Sequence, residues 1–78
     1  MGWIISVTTE RLGGGQSLVQ YYAVRIADQQ EAIATLCEAL GTTSDEVVRA
    51  EMPKPDRYFD FLEIGEGKAR TLPVLGSV

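Results

Sequence analysis

One stretch of this chain, Asp28 to Gly41, carries a fuller helix signature than any other, and it limits what the rest can do. Asp28 is a favoured N-cap, and Glu31 three positions on can close a capping box. Gly41 stands where a left-handed C′ residue belongs. Between them Ile33, Leu36, Cys37 and Leu40 recur at i, i+3, i+4 and i+7, which predicts a helix over 29–40 with one apolar stripe. Such a stripe must be buried against another element, and the flanking sequence supplies strands.

Residues 3–10 alternate, with Trp3, Ile5 and Val7 on one side and Ile4, Ser6 and Thr8 on the other. Leu12–Ser17, with three adjacent glycines, reads as a turn. Residues 18–26 alternate again. Leu18, Gln20, Tyr22, Val24 and Ile26 share one face, and Val19, Tyr21, Ala23 and Arg25 the other. The two strands are expected to form a hairpin around the glycines. The second half is more ambiguous. Val47–Met52 suits a strand, or a short helix capped by Thr43, with Pro53-Lys54-Pro55 as a stiff connector that stops either. Tyr58–Ile64 is aromatic-rich and is read as a strand in a second hairpin with Lys68–Leu72. The rival is a helix from Asp56 stopped near Gly65. Residues 73–78 are expected to fray.

A chain of 78 residues has room for one core and one domain. Small domains often need a staple. Cys37 is the only cysteine and there is no histidine, so an internal disulfide is excluded and a zinc site is not expected. With 45% hydrophobic and 23% charged residues the chain reads as globular. Its net charge is −4, and its seven basic residues are interleaved with carboxylates, so no basic stripe for nucleic acid emerges. No run reaches the length of a membrane span, and Met1–Val7 lacks a secretory pattern, which points to the cytoplasm. Gly2 followed by Ser6 matches a loose myristoylation pattern, but the strand reading of the same residues is preferred.

No catalytic set stands out. A catalytic cysteine needs a base, and Cys37 sits near a helix C-terminus, where the dipole opposes a thiolate; it reads as a small core residue. Gly13-Gly14-Gly15 lacks the spacing of a dinucleotide fingerprint, and Gly65-Glu66-Gly67-Lys68 lacks the first glycine and the Ser or Thr of a phosphate-binding loop. Asp56, Asp60 and Glu63 read as a solvated surface rather than a magnesium site. Leu36–Val47 has a weak helix-turn-helix spacing around Gly41, but Asp45 and Glu46 would open the recognition helix and repel phosphates.

The expected fold is an α+β two-layer sandwich in the order β-β-α-β-β, one helix on a small, mainly antiparallel sheet. One helix covers one face. The other face would expose part of Ile4, Val19, Tyr21 and either Phe59 or Phe61. Ile4, Val19, Tyr21 and Phe59 are therefore the expected interaction surface. The reading is a small protein-interaction or accessory module, a homodimer or one half of a protein complex, with no catalytic residue, cofactor or metal expected. A small-ligand or enzyme-accessory domain, with a cleft near the glycines and Tyr58 and Phe59, is the alternative. A DNA-binding module comes third.

Overall fold

A computed structural model describes residues 1–9, 18–42 and 46–72. The elements run β1 (Gly2–Thr9), β2 (Leu18–Val24), α1 (Gln29–Leu40), β3 (Glu46–Lys54), α2 (Asp56–Phe61) and β4 (Ala69–Thr71). The four strands form one antiparallel sheet in the order β3-β1-β2-β4. The glycine turn, the Thr43 cap and the 73–78 tail of the sequence reading lie outside the described residues.

β1 and β2 pair as the alternation predicts, with Trp3 opposite Val24 and Thr9 opposite Leu18. Register then sorts the side chains. Ile5, Val7, Val24, Ala32 and Leu36 form one core under α1, with Trp3, Tyr22, Ile26, Ile33 and Val48 packed around it. The Trp3 indole N–H donates to the Ala27 carbonyl at 2.9 Å and ties β1 to the connection leading into α1. α1 has the expected caps, with the Asp28 carboxylate accepting from the N–H groups of Gln30 and Glu31 and Gly41 at φ 65°, but the Glu31 side chain makes no return bond to close the capping box. The buried line on the helix is Ala32 and Leu36. Ile33 and Cys37 are half-buried, and Leu40 is exposed, so the stripe sits rotated toward Ala32 from the expected one.

The second half departs from the expected order. Residues 46–54 are a strand, so no recognition helix follows Gly41 and the helix-turn-helix reading fails. β3 does not stop at Pro53. It pairs with β1 from Thr9–Glu46 to Gly2–Lys54, with Trp3 opposite Pro53. Proline is tolerated there because β3 is an edge strand and its missing N–H is not needed by a second neighbour. Between Ile4–Met52 and Ile5–Ala50 the register shifts, which makes Glu51 the extra residue of a bulge.

Tyr58–Ile64 is not a strand and forms no hairpin with Lys68–Leu72. Residues 56–61 are the rival helix, and β4 pairs with β2 instead. Exposure shows why. A strand would send Phe59 and Phe61 to the same side, whereas Phe59 is 0% exposed and Phe61 85%. On a helix two positions differ by about 200°, so one ring enters the core while the other points away. α2 packs on the face opposite α1. There Phe59, Ile4, Ala23 and Ile64 make a second core, flanked by Tyr58, Leu62 and Leu72. The Phe59 ring lies against Gly2, where a Cβ would come within 2.5 Å of it. Gly2 is thus buried at the start of β1, one residue before the strand expected from the alternation.

Candidate functional site

The sheet face opposite α1 divides into two halves along the strands. At the Gly2 end it is covered by α2 and the chain up to Ile64, which bury Ile4 and Ala23. This cover is held by Arg25, the residue that follows β2. Its guanidinium donates to Asp60 Oδ1 at 2.8 Å and to the Ile64 carbonyl at 2.9 Å, and it stands 3.9 Å from Asp56 Oδ1. The Met1 ammonium also donates to Asp56. That hydrogen bond, with the nearby positive charges, holds the Asp56 carboxyl below its ordinary range. Lys54 Nζ lies 5.0 Å from the centre of the Tyr58 ring, adding a cation–π contact from β3. Arg70 donates to the Leu62 carbonyl. Asp56 and Asp60 therefore secure a helix. Among the described residues no cluster of three His, Cys, Asp or Glu is placed to hold a metal.

At the Thr9 end the described residues leave the same face uncovered. The register places Val47, Thr8 and Val19 in one row across β3, β1 and β2, and Arg49, Ser6 and Tyr21 in the next. Met52 stands beside Ile4 at the border with α2. Val19, Tyr21, Val47 and Met52 are exposed large apolar residues. Arg49 is the charged member of these rows. The open half is a strip that carries exposed Val19 and Tyr21 on β2 and Val47 on β3, with Ser6 and Thr8 of β1 between them, on a chain whose net charge is −4.

The expected surface residues separate accordingly. Val19 and Tyr21 lie exposed on the open half. Ile4 and Phe59 do not belong to an exposed surface: they are buried against each other, because α2 supplies the cover that a one-helix fold would lack. Sequence reasoning passed over Val47 and Met52. Both join the strip because β3 pairs directly with β1, which the alternation within 46–52 did not reveal.

A groove of about 500 Å³ opens on the α1 side, at the Thr9–Leu18 end of the sheet. Val7, Leu18, Tyr22 and Leu40 line it, with Thr9, Gln20 and Glu46 as its polar groups. The Thr9 hydroxyl donates to Glu46 Oε2 at 3.2 Å. The alternative reading placed a cleft near both the glycines and the aromatics Tyr58 and Phe59. Those glycines lie outside the described residues, and the aromatics lie at the opposite end of the sheet from the groove. No helix among the described residues is long and apolar enough to cross a membrane. Comparison with protein-family models, curated proteins and solved structures finds no match.

Proposed function

We propose that this chain is a protein-interaction module, cytoplasmic and without an enzymatic role of its own, that associates with a second copy of itself through the open half of the sheet. The observation that carries this reading is the exposure of Val19 and Tyr21 on β2 and of Val47 on β3, the two strands flanking β1, on a face whose other half is already covered by α2. Exposed apolar surface concentrated in this way marks contact sites on small soluble proteins. Tyrosine suits the centre of such a contact, because it buries a large ring and keeps a hydroxyl for water or a partner. A second copy is favoured over a strongly charged partner because Arg49 is the one charged residue in these rows, beside the exposed Val19, Tyr21 and Val47.

Sedimentation velocity across the micromolar range tests this. The wild-type chain is expected to pass from monomer to dimer, and Tyr21→Glu, a change at an exposed position, to shift the equilibrium toward monomer without altering circular dichroism. A wild type that stays monomeric throughout would remove the reading.

A further inference from the structure

The open half alone is small for a dimer contact. Three strands about 4.8 Å apart and about five residues of about 3.3 Å each give a footprint of roughly 240 Å². A standard interface removes about 800 Å² per partner. Flat stacking of two open halves also meets an obstacle. Sheets stack about 10 Å apart, and α2 with its side chains is itself about 10 Å across. It rises from the same face, next to the strip, and fills that space.

That obstacle suggests the occupant. α2 is apolar on two sides: Phe59 is wholly buried beneath it, while Phe61 is 85% exposed, the most exposed large hydrophobic residue among those described. Phe61 points away from its own sheet. Turning a second copy over, about an axis lying across the strands between the two sheets, brings its Gly2 end over the Thr9 end of the first. Each α2 then faces the partner's open half. The two helices lie side by side as a shared middle layer, and the obstacle to stacking becomes the filling.

We infer that the partner is a second copy seated by Phe61, each protomer inserting that ring onto the other's Val19, Tyr21 and Val47. This rests on the proposed self-association through the open half and names what occupies it. The contact is isologous: the same two patches serve both protomers and close the assembly at two. It adds the outer face of α2, roughly 90 Å² for six residues, to the open half of each protomer, which makes a small interface of the weak, concentration-dependent kind. An aromatic ring on a rigid helix meeting an apolar patch is also the usual make-up of an energetic hot spot.

The test uses three forms of the full chain: wild type, Phe61→Ser, and a strip variant with Val19→Ser and Val47→Ser. All three substituted side chains are exposed, so circular dichroism should remain that of wild type, and so should the melting temperature measured at a concentration low enough for every form to be monomeric. Light scattering over a concentration series should give a wild-type dimer and, for each variant, dimerisation weakened by at least about 100-fold, since two anchors are lost per homodimer. An equimolar mixture of the two variants should recover part of the affinity. In the mixed dimer the strip variant's Phe61 still meets an intact strip, which neither variant offers alone. If Phe61→Ser dimerises like wild type while the strip variant does not, the seating by Phe61 is wrong and the open-half reading stands. If the wild type is monomeric at every concentration, both fall. If it forms chains that lengthen with concentration, the reciprocal two-fold arrangement falls.

Discussion

Replacing Gly2 by alanine sets two effects of opposite sign against each other. Alanine restricts the unfolded chain more than glycine, which favours folding by about 0.4–1 kcal/mol wherever the native backbone accepts it. Against this, the new methyl would lie 2.3 Å from the Val24 carbonyl oxygen and 2.5 Å from the Phe59 ring. The carbonyl belongs to the sheet and cannot withdraw without disturbing β2. The ring is the largest fully buried side chain and plugs the second core, so it cannot rotate into empty space. Overpacking of this kind costs about 1–3 kcal/mol, and partial expulsion of a buried Phe approaches the 3–5 kcal/mol of its complete removal. The steric effect should win, for a net loss of about 2 kcal/mol. In a domain of this size that lowers the melting temperature by about 8–16 °C. Urea titration followed by circular dichroism reads the same loss as a fall in midpoint at unchanged slope. Combining Gly2→Ala with Phe59→Leu should recover part of the loss, because the two sites touch. A Gly2→Ala chain as stable as wild type would refute the placement of Phe59 over β1, and with it the covered half of the face.

Leu36→Asp should leave no cooperative unfolding transition, since it puts an unpaired charge at a position only 1% exposed; native-like circular dichroism would contradict the α1 core. Asp28→Ala should lower stability by about 1 kcal/mol by leaving the Gln30 and Glu31 N–H groups without their acceptor, measured by urea titration. Acid should loosen α2. The folded Asp56 carboxyl is depressed below its unfolded value of about 3.9, so its contribution is whole above that pH and fades as pH falls through the lower folded value. Asp56→Asn should flatten that part of the stability-against-pH curve, and an unchanged curve would remove the role of Asp56.

The legible parts of this chain were those where one local rule sufficed. The alternation in Trp3–Val7 and Leu18–Ile26 gave the facing sets that the register confirms, and Asp28 and Gly41 bounded α1. α2 was harder because six residues make under two turns, too few for a helical period to declare itself. Tyr58, Phe59 and Phe61 also favour strands intrinsically. The available signal was the spacing of Tyr58, Phe59 and Leu62, which lines one side of a helix and no side of a strand. At the surface, Val19 and Tyr21 could be placed by alternation alone. Ile4 and Phe59 could not, because their burial depends on a contact between β1 and α2 that lies far apart in sequence. The same is true of Val47, whose neighbours across the strip come from β1 and β2.

Of the two central strands, β1 comes first in the chain, and one of its flanks is completed only when Glu46–Lys54 arrives. During synthesis β1 and β2 can meet at once, but the bare flank of β1 must wait for a strand far downstream. In that interval the free hydrogen-bonding groups of Gly2–Thr9, with Ile5 and Val7 not yet sealed, form the stretch most exposed to pairing with another unfinished chain. Crowded expression should therefore favour inclusion bodies when β3 is weakened, even by changes that cost the finished domain little.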